Sequence, residues 1–234
     1  MNGFASKSLM FQDSILVIFA KAPQPGQVKT RLFPIMSPVQ AARLHAYLLD
    51  ETLKLTHRQA LCRVQLCCSP NPDYAEFKAA ARHFGVDLDT QSGKDLGERM
   101  QHAIGVNLLR YSAVVLIGCD SPSLTIADLI EVFSALRRGV DVALGPAEDG
   151  GYVLIGMTRA HPELFKAMPW GSEQVLAKTR NCIRRLGLTS YETRLQWDID
   201  RPEDWQRYLS CNDPKPFNSL PGGRAKISPP AQNE

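Results

Sequence analysis

The run from Lys21 to Arg31, KAPQPGQVKTR, carries three fixed cations in eleven residues and no acid. Pro23 and Pro25 stiffen its backbone, and Gly26 permits a turn that other residues resist. A stiff loop presenting Lys21, Lys29 and Arg31 suits phosphate oxygens, with arginine making paired bonds and the lysines acting as point charges. Two familiar phosphate signatures are absent. The P-loop needs a glycine five residues before the Gly-Lys pair, and the dinucleotide fingerprint needs three glycines where this run has Gly26 alone. The alternative for such a run is a solvated basic face.

Three acidic segments complement it. Asp120 follows an apolar run and is braked by Pro122, a placement suited to binding a divalent cation through oxygen. Asp120 or Ser121 capping the next helix is the competing account. Glu148 and Asp149 precede Gly150-Gly151, where a ligand can approach the backbone closely; a plain Asp-Gly hairpin turn competes. Asp198 and Asp200 fall on one side of an extended segment ahead of Pro202, with Asp200 as helix cap the competing role.

Apolar runs at 15–20, 64–68, 113–118 and 140–144 alternate with helix-period stretches at 39–56, 74–84, 96–109 and 125–137. Weaker extended pieces fall at 86–88, 152–155 and 189–193, and further helices at 172–186 and 202–209. Strand–helix alternation with strands apolar on both faces predicts one three-layer α/β/α domain over 14–210, built on a mostly parallel sheet. Ligands of such sheets sit beyond the carboxyl ends of the strands. One basic and three acidic loops therefore converge on a single rim, as a nucleoside diphosphate with Mg²⁺ or Mn²⁺ requires.

The remaining composition limits the function classes. The 234 residues are 44% hydrophobic and 22% charged, which excludes disordered, collagen-like and disulfide-scaffold classes. A net charge of +3 gives no argument for nucleic acid or membrane partners. No apolar stretch approaches the roughly 20 residues that span a bilayer, and the first 13 residues lack a signal-peptide core. A cytoplasmic protein with six reduced cysteines is the expectation. Cys67 and Cys68, adjacent on an extended run, should point to opposite faces. The five histidines, at no ligand spacing, are expected in surface or packing roles. Residues 1–13 and 211–234 read as flexible ends, the latter for its prolines and Gly222-Gly223.

The motifs IFAKAPxPGxVKTRL from Ile18, DLGERM from Asp95, GxDxP from Gly118, GPxxDGGYxLIG from Gly145 and Asp198-Ile-Asp200 together resemble a bacterial family of small glycosyltransferase-like proteins. That family belongs to the nucleotide-diphospho-sugar transferase superfamily with the GT-A fold, and some members are linked to arsenosugar biosynthesis. The superfamily also holds nucleotidyltransferases, whose glycine loop is richer than the single Gly26 here. The resemblance implies that Lys21, Gly26, Lys29 and Arg31 hold nucleotide phosphates. It further implies Asp120 as principal metal ligand, Asp198 or Asp200 as the second, and Asp149, Gly150 and Gly151 in the donor or acceptor pocket. Trp170 stands ready to stack on a base or sugar, or to pack. The expected activity is metal-dependent glycosyl transfer from a nucleotide sugar to a small-molecule acceptor, with Asp120 and Asp149 catalytic, Asp149 as general base. The alternatives are nucleotide transfer from a triphosphate with release of pyrophosphate, and a non-catalytic nucleotide-binding domain.

Overall fold

The computed structural model describes residues 8–57 and 59–211. The stretches 1–7 and 212–234, most of the expected flexible ends, lie outside the described residues. Strand β1 (Ser14–Lys21) forms the spine, buried over its first seven residues. Leu16, Ile18 and Ala20 enter one apolar cluster while Ile15, Val17 and Phe19 enter another. The two-residue period of a strand makes that division, and only a sheet covered on both faces shelters so uninterrupted an apolar run. Cys67 and Cys68 divide between the same two clusters as expected.

Strands β2 (Arg63–Ser69), β3 (Asp87–Thr90), β4 (Ala113–Ile117), β5 (Val142–Pro146), β6 (Tyr152–Met157) and β7 (Ser190–Glu192) complete a seven-stranded sheet of order β3-β2-β1-β4-β6-β5-β7. All pairings are parallel except those of β6, which runs antiparallel to β4 and β5. Only five residues separate β5 from β6, too few for a parallel crossover, so the chain must turn back as a hairpin. The hairpin tip therefore lies at the same rim as the carboxyl ends of β1 and β4.

Helices α1 (Pro38–His57), α2 (Ala75–Phe84) and α4 (Ile126–Arg137) cover one face, contributing Leu49, Phe77 and Phe133 to its core. Helices α3 (Leu96–Leu108) and α5 (Val175–Arg185) cover the other through Met100, Ile104 and Ile183. Helix α6 (Pro202–Cys211) lies outside α1, where Trp205 and Tyr208 pack with Leu44, Leu48 and Ile199. The architecture is the expected α/β/α sandwich.

Of the boundaries that differ from the sequence reading, two have a clear physical cause. Phe11, assigned to a free end, is 2% exposed, stacks on Phe133 at 5.2 Å, and its N–H donates to the Leu61 carbonyl. Helix α5 begins three residues later than its apolar period suggests. Gly171, at φ +81°, turns the chain, and the backbone of Glu173 is drawn against Gly150 of the hairpin tip, leaving no straight helical path.

Candidate active site

The basic loop leaves β1 and is pinned by Val28 and Leu32, both buried. Between them Lys29 takes left-handed dihedrals (φ 50°, ψ 37°) ahead of a single 3-10 turn, Thr30–Leu32. Such a conformation costs a non-glycine residue about 1–3 kcal/mol and marks a position held by its surroundings. It turns the Lys29 side chain inward, 4% exposed, where Nζ donates to Oδ2 of Asp120 at 2.8 Å and to the Ile199 carbonyl.

Asp120 stands beyond β4 and does not cap a helix. Thr125 is the N-cap of α4, in a reciprocal capping box with Asp128. The segment carrying Asp198 is stitched to the loop after β4. Ser123 Oγ donates to the Trp197 carbonyl at 3.0 Å and accepts the Trp197 N–H at 2.9 Å, and the Ile199 N–H donates to the Asp120 carbonyl at 2.9 Å. On its other side the segment zips onto the hairpin tip through Glu148 N–H to the Gln196 carbonyl and Gln196 N–H to the Pro146 carbonyl. These bonds carry Asp198 to Asp120 and Asp149. Asp200 does not cap α6, since Asp204 accepts from the backbone N–H of Asp200 and Arg201. The Asp200 carboxylate instead accepts from Arg31.

Two clefts meet over Asp120. The first, about 380 Å³, is the basic one, walled by Lys21, Lys29, Arg31, His45, Gln91 and Asp200. The second, about 250 Å³, is apolar, lined by Met100, Leu116, Tyr152, Val153 and Trp170 with three acids, Asp120, Asp149 and Asp198. Phe19, Leu96, Gly118 and Asp120 belong to both. Asp198 and Asp200, read from sequence as one acidic pair, thus serve different clefts.

The electrostatics follow from this crowding. Burial pushes the Asp198 carboxyl up, the neighbouring Asp120 and Asp149 push it further, and it titrates at about 7. Burial also opposes charge on Asp120, yet the Lys29 ammonium holds that carboxyl below the usual range. Burial alone would lower Lys29, but Asp120 more than offsets it and the ammonium is raised.

Not every expected residue lines a cleft. Gly26 keeps φ +85° with open space around it and lines neither cleft. Gly150 also lines neither; a Cβ there would lie 2.2 Å from the Glu173 carbonyl oxygen, so the hairpin tip packs there only as glycine. Gly151 does line the apolar cleft, and its N–H donates to Asp149 Oδ1 at 2.9 Å. The hairpin turn thus brings Asp149 and Gly151, but not Gly150, to the apolar cleft. Trp170 both packs and lines: it meets Tyr152 edge-on at 6.4 Å, and a Cβ on Gly97 would lie 2.6 Å from its Nε1.

His45 escaped the sequence reading because nothing in a helical period marks which buried position faces the basic loop. It is 6% exposed, and its Nε2 donates to the Lys21 carbonyl at 3.0 Å, so Nδ1 is the bare nitrogen and has no partner among the described residues. Burial and the nearby Lys29 lower its pKa, keeping it neutral.

No three His, Cys, Asp or Glu side chains among the described residues are arranged to hold a metal ion. Two carboxylates, Asp120 and Asp198, do share the apolar cleft, and glycine at 118 leaves room beside Asp120 Oδ1, which a Cβ would approach to 3.0 Å. That donor set fits a hard cation such as Mg²⁺, which takes one or two carboxylates and completes its shell with phosphate and water. Among the described residues no helix is long and apolar enough to cross a membrane.

Residues 52–172 match the family described as an uncharacterized protein conserved in bacteria (DUF2064). The chain belongs to this family. The matched stretch holds Asp120, Asp149 and Trp170 but neither the basic loop nor Asp198. No curated protein matches the sequence. Among solved structures, a protein of Desulfovibrio desulfuricans G20, provisionally named a nucleotide-diphospho-sugar transferase, is 29% identical over 89% of this chain and 91% of its own, with a TM-score of 0.77. A cytidylyltransferase from Leptospira borgpetersenii shares 14% identity over 86% of each chain at a TM-score of 0.55. Glucosyl-3-phosphoglycerate synthase from Mycobacterium tuberculosis, solved with Mn²⁺, UDP-glucose and glycerol 3-phosphate, shares 11% over 86% of this chain and 76% of its own at 0.50. The fold is that of the nucleotide-diphospho-sugar transferases.

Proposed function

We propose that the protein is a metal-dependent glycosyltransferase using a nucleotide-diphospho-sugar. The observation that carries this reading is the meeting of a basic cleft and an apolar, acidic cleft over one carboxylate, Asp120. Lys21, Lys29 and Arg31 grip the diphosphate, and the sugar crosses Asp120 toward the second cleft. Asp120 and Asp198 would hold Mg²⁺ or Mn²⁺, which when bound neutralises charge on the departing diphosphate. In the transfer the bond from the anomeric carbon to phosphate oxygen breaks with its electron pair on the diphosphate. The acceptor oxygen bonds to that carbon and gives its proton to Asp149. The presence of the fold in a Mn²⁺-bound glycosyltransferase complex supports this reading.

A thermal-shift panel of nucleoside diphosphates, triphosphates and nucleotide sugars, with and without Mg²⁺ or Mn²⁺, tests it. A ligand at 100 times its Kd stabilises the fold by about 2.7 kcal/mol. Selective, metal-enhanced stabilisation by one nucleotide sugar is the expected result. Stabilisation by a triphosphate alone, with pyrophosphate released on turnover, would replace this reading by nucleotide transfer, which the cytidylyltransferase fold accommodates. Binding without product under every donor and acceptor would make the domain a nucleotide receptor.

A further inference from the structure

The chemistry of the second cleft narrows the acceptor. Among the described residues its charged lining is Asp120, Asp149 and Asp198, with no lysine, arginine or histidine. Lys29, which reaches Asp120, and Arg31, which pairs with Asp200, belong to the basic cleft, while Arg207 pairs with Glu148 of the hairpin tip and lines neither cleft. A phosphate or carboxylate brought against Trp170 and Tyr152 would therefore meet carboxylates, of which Asp120 is already paired with Lys29, and no cationic side chain of the described lining. A divalent cation shared by Asp120 and Asp198 would offset those two carboxylates and leave Asp149 facing the cleft, while the donor's own diphosphate adds negative charge nearby.

The walls specify the other half of the ligand. Trp170 and Tyr152 meet at 86° and form an aromatic corner, with Phe19, Met100 and Leu116 beside it. Gly97 lets the indole seat directly on α3, which holds the corner in place. Such a surface takes a flat apolar body, and an indole face attracts a cation as well.

We infer that the acceptor is an uncharged or cationic alcohol with an aromatic or aliphatic body, and that the cleft discriminates against phosphorylated and carboxylate-bearing acceptors. This deepens the glycosyl-transfer reading and rests on it for the word acceptor.

The test uses four probes sharing one ring and differing in charge: tyrosol, tyramine, 4-hydroxyphenylacetate and tyrosol phosphate. Each is titrated into the full-length ¹⁵N-labelled protein at pH 8 while the indole N–H signals of its three tryptophans are followed. Loss of one signal in Trp170→Phe assigns Trp170. Tyrosol and tyramine should shift that signal, and the two anions should bind at least about tenfold more weakly. Asp149→Asn should shrink the discrimination, and Asp149→Lys should reverse it. Anions binding as tightly as tyrosol, or no probe moving the Trp170 signal, would overturn the inference. A parallel titration with nucleoside diphosphates keeps the two readings apart. If they fail to bind while the charge order holds, the glycosyl-transfer reading falls alone. If they bind and the anionic probes are preferred, the acceptor inference falls alone.

Discussion

The Lys29 ammonium lies 2.8 Å from Oδ2 of Asp120, and the backbone that delivers it sits in the left-handed region. The basic loop is thus tethered to the acid at the centre of the rim. This pair ties the two clefts together.

Removing one member strands the other. Lys29→Met leaves both the Asp120 carboxylate and the Ile199 carbonyl without their donor. A fully buried pair so broken costs about 3–5 kcal/mol. Because 35% of the Asp120 side chain faces solvent, about 1–3 kcal/mol is expected here. Asp120→Asn should cost a similar amount, and the double variant less than the sum, with about 1 kcal/mol or more of coupling in a urea-unfolding cycle. Strict additivity would show that the pair contributes nothing. Lys29→Gly should be less destabilising than Lys29→Ala, because glycine relieves the left-handed backbone.

Asp198 supplies a pH signature. Its folded pKa of about 7 lies above the ordinary 3.8, so between those values the folded state holds the extra proton. Its contribution to stability is fully present below about pH 4, declines as pH rises toward 7, and is flat above. The stability difference between wild type and Asp198→Asn should therefore change over that window by at most about 4 kcal/mol. Equal slopes for the two proteins would refute the raised pKa. Mg²⁺ or Mn²⁺ bound at Asp198 favours the ionised carboxyl, so either should stabilise the wild type more at pH 7.5 than at pH 5.5, and chelation should remove the effect.

Much of this architecture is legible in the residues themselves. Uninterrupted apolar runs such as 15–20 have no stable place except a doubly covered sheet, so β1 and β4 are foreseeable from composition alone. The rim follows from parallel order, which puts Asp120, Asp149 and Asp198 after strand ends. What periodicity does not carry is pairing between distant loops. That Lys29 selects Asp120 while Arg31 selects Asp200 depends on the Ser123–Trp197 stitching and on the turn at Lys29. The late start of α5 likewise depends on contact between Glu173 and Gly150, invisible to any local pattern.

The glycines separate conformational from steric demand. Gly26 and Gly150 both have positive φ, but a Cβ at 26 meets nothing within 4 Å while one at 150 meets Glu173 backbone at 2.2 Å. Gly26→Ala should cost about 1 kcal/mol of backbone strain. Gly150→Ala adds a clash that no side-chain rotation relieves and should cost more than about 2 kcal/mol. Chemical denaturation of the two variants checks the order. Comparable losses would mean that the hairpin tip shifts freely against residue 173.

Arg31 and Asp200 separate stability from ligand binding. Their side chains are 60% and 36% exposed, so the pair should stabilise the fold by less than about 1 kcal/mol. Arg31→Ala should leave the unfolding midpoint nearly unchanged while weakening nucleoside diphosphate binding about 10- to 100-fold, the effect of one or two charge-assisted bonds. Asp200→Asn has an opposite expectation under the two assignments of the second metal ligand. If Asp198 holds the metal, losing the Asp200 charge frees Arg31 for phosphate, and diphosphate affinity measured by calorimetry should hold or rise. If Asp200 holds it, the metal enhancement of that affinity should collapse. The Arg31 contact and the separation of Asp200 from the apolar cleft favour the first outcome.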